Sequence, residues 1–539
     1  MRYLNYLFLL IFLVATACKP NSNKTKKLGR VDLEVTGNKQ AQEFFDQGLA
    51  YLHSFEYLDA RNHFVKAQQA DPKCGMAYWG ELMAYNHPLF NRELGRLAKL
   101  TFSKMGSSPQ ERAALFKTEM EKDLLTSVEI LYGNGTKQER NQAYREHYKI
   151  LAKKYPNNHE IQAFYALSLL GVPIDSNTGT GTETAASLMK DLLEQNPDHP
   201  GALHYYIHAY DDPINAYKAI EAADRYAKVA PDATHALHMP SHIYLSLGQW
   251  NDVINSNIES WNANVNARKI NPSKEAGYHS LNWLQYGLLQ KNEVQLATRL
   301  MYDMIEYVKT DQSILARTYL IWMKGIYMAE TNTWSGDIAD INVKIDDLHL
   351  TKQASYLYLE GIKAGFTGDI KKLQTIIEVL ARKKYIASLN LGDNVAVMCN
   401  TAGNPSIPPN QIDVDLVTVM EAELKAKLVL LSGRTQEALK ILEEGTKIYE
   451  NLSISFGPPV VFKPIHEMYA KLLISENQHK KALKVIKKGL RFAPRKLDLL
   501  KLKEIAASHL NNIRASNEAR EELKISLLKQ SREEILKAI

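Results

Sequence analysis

Six of the chain's sixteen histidines fall between Asn196 and Leu247. His204 and His208 are four residues apart, as are His238 and His242, and on a helix that spacing puts both rings of a pair on one face. The two pairs are offset by 34 residues. His235 stands three residues before His238 and shares its face, and Asp211 and Asp212 follow His208 by one turn. His279 opens a later helix. Neutral imidazoles with nearby carboxylates are ligands for zinc and related divalent transition metals. The candidate metal set is therefore His204, His208, His238 and His242, and a metal held there could activate water for hydrolysis. The same residues, with Tyr205, His235 and His279, could instead form a polar-aromatic groove for a peptide or small ligand. In a third reading the histidines only hydrogen-bond neighbouring helices. Pro240 should interrupt its helix, since it donates no hydrogen bond and crowds the carbonyl of Ala236.

The elements that position these residues follow from the period. Pro197 and Pro231 are also 34 apart, so the register does not depend on the histidines. Gly48, Tyr51, Ala60, Phe64, Ala67 and Pro72 fit a pattern in which small residues let two helices cross, aromatics fill the groove and proline ends the second helix. Thirty-four residues with that pattern mark the tetratricopeptide repeat (TPR), a helix-turn-helix unit that stacks on itself. Further hairpins are expected around 139–170, 352–382, 414–449 and 463–494. No stretch alternates convincingly enough for a strand. The expected fold is all-α: a right-handed TPR-like solenoid of helical hairpins with a concave groove. Its expected divisions are an N-terminal solenoid over 39–330, a hairpin with a long loop over 331–412, and C-terminal repeats with capping helices over 413–539. Glu81 is expected to be solvated on an inner helix.

The segments DPKCGMAYWGELMAYN, NPDHPGALHYYIHAYDDP, HALHMPSHIYLSLGQWNDVINSN and FGPPVVFKPIHEMYAKLL together resemble a family of bacterial TPR proteins. The HPGALHY–IHAYDDP and HALHMPSHI segments are the most specific part, and the likeness runs from about residue 40 to 510. It implies a TPR solenoid and no particular reaction. Relatives tend to carry an aspartate where this chain has Asn282, and if that aspartate helps hold a metal, the departure argues against a metal site here.

Composition bounds the rest. The chain has 539 residues, of which 45% are hydrophobic, and a formal charge of +6 spread along its length. That excludes a disordered chain and shows no nucleic-acid footprint. Met1-Arg2 and the apolar run to Ala17 form an export signal too short to span a bilayer. Ala15-Thr16-Ala17-Cys18 resembles the lipobox of bacterial lipoproteins, which implies cleavage after residue 17, a lipid on Cys18 and a flexible tether over 18–38. Cys74 and Cys399 are expected to be free thiols, because a solenoid keeps positions so far apart in sequence separate. These features describe a lipid-anchored protein of the cell envelope that binds a protein, peptide or small ligand in its groove. A metal-dependent hydrolase and a glycan-capturing lipoprotein are the alternatives.

Overall fold

The computed structural model describes residues 26–171, 180–274, 276–392, 408–452 and 457–527. Cys18, Cys399 and part of the long loop expected within 331–412 lie outside them. The described residues form a succession of antiparallel helix pairs, confirming an all-α solenoid of hairpins. One small difference is a two-residue antiparallel ladder, Asn86–His87 against Arg92–Glu93. No helix among the described residues is long and apolar enough to cross a membrane.

The hairpins are built by one repeated turn. Seven helix pairs among the described residues are joined by a short turn with one residue in the left-handed region: Phe55, Gly248, Asn292, Gly368, Gly433, Asn477 and Asn511. In each, the next residue's N–H reaches back five residues to a helix carbonyl. Examples are Glu56 to Tyr51 at 3.0 Å, Gln249 to Tyr244 at 2.7 Å and Asn512 to Ala507 at 2.9 Å. This geometry satisfies the last carbonyls of the first helix. Glycine and asparagine adopt it readily, whereas a phenylalanine there costs about 1–3 kcal/mol. Within the first pair, Lys39–His53 and Tyr57–Ala70, Gly48 admits the ring of Phe64, whose edge an added Cβ would meet at 2.8 Å.

The buried apolar residues form two cores, Leu28–Ile243 and Leu245–Ala506, with Tyr244 packed against both. The two cores meet at the central histidines, inside the stretch 39–330. Residues 331–350 contribute Trp334, Ile338, Val343 and Leu348 to the second core.

Each core is closed by residues far apart in sequence. The tether expected over 18–38 is not free along its described part. Leu28, Leu33 and Val35 are buried, and the Arg30 N–H donates to the Asp198 carbonyl at 2.8 Å while Asn196 Nδ2 donates to the Arg30 carbonyl at 3.0 Å. The apolar side chains of this segment cover an apolar face, which outweighs the entropy of a loose chain. In the second core Lys496, fully buried, pairs with Glu330, and Gln290 Oε1 accepts from the Leu497 N–H at 3.1 Å. Cys74 is a free, buried thiol, pushed up to about 11 by burial. Glu81, expected to be solvated, is buried and accepts from Lys104, Gln68 and Tyr85.

Candidate metal centre

His204 and His208 lie on the Pro200–Ala209 helix, which His199 caps by accepting from the Ala202 N–H at 3.1 Å. One repeat later, Thr234–His238 and Pro240–Ser246 form a helix interrupted at Met239, as Pro240 requires. His235 and His238 come from the first piece and His242 from the second. His279 sits in the first turn of Tyr278–Gln290, in the second core. Glu56, next to Phe55, fixes the start of the Thr234–His238 helix by accepting from the His235 N–H at 3.0 Å and from the Thr234 hydroxyl.

These elements bring six imidazoles together in two groups of three. His204, His208 and His235 form one, and His238, His242 and His279 the other; within each group one ligand atom per ring lies within 4.8 Å of the others. The groups adjoin, with the rings of His208 and His242 centred 5.9 Å apart. The expected four-histidine set is therefore corrected: the two sequence pairs do not converge on one point, and each takes a third histidine instead. Nor do they line an open groove. His204, His208, His238 and His242 are each at most 2% exposed: the turn at Phe55 packs on His204 and His208, and Trp283 packs on His238 and His242.

Hydrogen bonds fix the protons. His204 Nδ1 is 2.7 Å from the His53 carbonyl, which can only accept, so the proton is on Nδ1 and Nε2 carries a lone pair. His238 Nδ1 donates to Asn257 Oδ1 at 2.7 Å, and Asn257 Nδ2 donates to the Val253 carbonyl, which sets that amide's orientation. His242 Nδ1 donates to Asp211 Oδ2 at 2.7 Å. His279 Nδ1 meets the Tyr319 hydroxyl at 3.0 Å. Nε2 of His238 and Nε2 of His242 consequently face one another at 3.1 Å, each turned away from the partner that holds its Nδ1. His204 and His208 repeat the same 3.1 Å approach. Two nitrogens each about 2.05 Å from a metal and 3.1 Å from one another subtend roughly 98°, within the range of a tetrahedral or trigonal ion. A proton shared by one pair would relieve that pair alone, leaving His235 Nε2 buried without a partner. Burial and, after it, the neighbouring imidazoles push His204, His208, His235, His238 and His279 well below the usual histidine range. They are neutral at pH 7, the form that binds metal. Trp283 packs over His242, with ring centres 4.5 Å apart, and edge-on to His238.

The other residues singled out by sequence do different work. Tyr205 turns away and meets His53 Nδ1 at 2.9 Å. Asp212 accepts from the Ile214 and Asn215 N–H groups and so builds the turn after the helix. Asn282 is buried. A third cluster, His53, Glu160 and His199, was not legible in the sequence, where no spacing links its members. His53 uses both nitrogens, on Tyr205 and on Glu160 at 2.6 Å; His199 uses Nδ1 as a cap and Nε2 on Glu160 at 3.2 Å. Burial raises the Glu160 carboxyl, but the imidazoles of His199 and His53 overcome it and hold it well below the usual range. With its ring nitrogens engaged by Tyr205, Glu160 and the Ala202 N–H, this cluster braces the two helices.

No protein-family model and no curated protein sequence matches the chain. Among solved structures it is similar to yeast Tom70, at 11% identity over 90% of this chain and 92% of that one, with a TM-score of 0.31. It is also similar to the Cut9–Hcn1 hetero-tetramer of the APC/C, at 11% identity over 93% and 81%, with a TM-score of 0.35. The hairpin architecture described above rests on the chain's own turns and packing.

Proposed function

We propose that this protein is a metalloprotein built around a buried pair of transition-metal ions. His204, His208 and His235 would hold one ion, and His238, His242 and His279 the other. The observation that carries this reading is the 3.1 Å approach of Nε2 of His238 to Nε2 of His242, whose Nδ1 atoms are held from behind by Asn257 and Asp211. Three protein ligands per ion leave a coordination position for an exchangeable molecule, the arrangement of a reactive site and not of a closed structural one.

The ligand chemistry favours copper. All six ligands are imidazoles, and the carboxylate of Asp211 acts through His242. Two divalent ions would bring four charges into a buried site with little compensation, which is costly. A pair of monovalent copper ions brings half as many, and imidazole suits copper well. Zinc, with water activated for hydrolysis, is the alternative.

A centre enclosed in this way leaves the outer surface of the solenoid for a protein partner, so partner binding is compatible with it. Export and lipid attachment at Cys18 belong to the same proposal, and labelling with a radioactive fatty acid, lost in Cys18→Ala, would test them.

The deciding experiment is copper and zinc content of the chain from Lys19 onward after loading, beside a His238→Ala/His242→Ala variant. Two equivalents falling to one or none in a folded variant support the reading. A folded chain that takes up neither metal overturns it.

A further inference from the structure

We infer that the cleft between the turn at Gly248 and the C-terminal hairpins binds an amphipathic anion, an apolar chain ending in a carboxylate or a phosphate. The inference is independent of the metal reading.

The cleft has a cavity volume of about 640 Å³, within the range of small-molecule sites. Leu247, packed against the first core, and Leu483 and Leu490, packed against the second, line it together with Pro213, Ile214 and Pro494. These side chains offer an apolar body a place out of water. Ser246 and Ala515 also line the cleft, and the remaining lining is charged.

The charges are unevenly matched. Lys503 lies 3.3 Å from Glu522 and 3.7 Å from Glu518, and Glu518 also takes Arg514 at 3.0 Å, so both carboxylates of the cleft are engaged. Lys487, Arg491 and Arg495 have no ion pair among the described residues. Lys487 and Arg491 stand four apart on the His479–Phe492 helix and share a face with Leu483 and Leu490. On another side of that helix, Lys481 and Lys488 pair with Glu443 and Glu450 of the preceding hairpin, at 3.0 and 2.7 Å. Arg495 is set by its backbone and by a neighbour. Its φ is +50°, a conformation uncommon for a residue with a side chain. A Cβ at Gly248 would lie only 2.7 Å from the Arg495 Cβ, so the Gly248 turn packs directly on the stem of that side chain. Three cations without carboxylates, beside apolar side chains, call for a ligand with a negative head and an apolar body. Guanidinium groups match carboxylate and phosphate alike, through paired hydrogen bonds.

Equilibrium dialysis of radiolabelled decanoate and decyl phosphate against the chain from Lys19 onward, at low salt, is the test. One or both should bind, and the tighter of the two identifies the head group. Decanol, with the same chain and no charge, should bind about tenfold more weakly or worse. A Lys487→Gln/Arg491→Gln variant should lose about tenfold in affinity for the anions while holding decanol as before. Both of those side chains are exposed, so the change spares the fold. Ile214→Glu places a negative charge on a lining residue that is 69% exposed, and should weaken the anions in the same way. Failure of both anions to bind, decanol bound as tightly as they are, or undiminished anion binding in the two variants overturns the inference.

Discussion

Nδ1 of His242 donates to Oδ2 of Asp211 at 2.7 Å, across the boundary between two successive repeats. The second carboxylate oxygen, Oδ1, is buried without a partner. The carboxylate therefore orients the ring and supplies negative charge behind it. Asp211→Asn keeps an oxygen that can accept from Nδ1 but removes the charge. We expect the affinity of the His238 group for copper or zinc to fall by about 10–100-fold, with the fold unchanged. Competition against a chelator of known affinity measures it, and an unaltered affinity would show that Asp211 only shapes the helix end.

The metal-free chain should lose stability as the pH falls below the ordinary histidine range. His204, His208, His235, His238 and His279 are lowered in the folded state by burial and then by one another. The unfolded chain thus binds protons that the folded chain refuses, so stability is full above about pH 6.5 and declines below it. Each such histidine contributes up to roughly 1.4 kcal/mol per pH unit while only the unfolded state is protonated. Urea unfolding of the metal-free chain at pH 7.5, 6.0 and 5.0 reads the slope. Equal stability at all three would mean that the rings are already charged in the folded protein.

Gly201 is the point of closest approach between the two helices that carry the brace and the centre. A Cβ at this position would collide with the His53 ring, whose carbonyl anchors His204. Gly201→Ala should destabilise the chain by about 1–3 kcal/mol and loosen metal at the first group before the second. Thermal unfolding together with metal stoichiometry tests this, and a neutral substitution would mean that His53 is free to move.

Lys496 and Glu330 close the second core through a fully desolvated pair, with Gln290 beside them. Lys496→Met leaves Glu330 buried without its cation, which should cost about 3–5 kcal/mol. The double change Lys496→Met/Glu330→Gln should recover a large part of that loss. Denaturant unfolding of the three variants checks it, and additive losses would refute the coupling.

Much of this protein was legible in its residues because helices print their period on the sequence. The 3.6-residue repeat put His204 with His208 and His238 with His242, and the 34-residue repeat placed the pairs on neighbouring helices. Pro240 announced the break at Met239. The strain at Phe55 was within reach too, since its counterparts in the other turns are glycine or asparagine. What no spacing could show was the third member of each group. His235 seemed one more residue on a shared face, and His279 stands alone in a later repeat. The burial of these rings was equally hidden, because the turn at Phe55 that packs on His204 and His208 comes from the far end of the chain. Local periodicity is fixed by backbone geometry within a few residues. Which distant side chains meet depends on how the apolar faces of separate helices are buried together, and only the folded chain decides that.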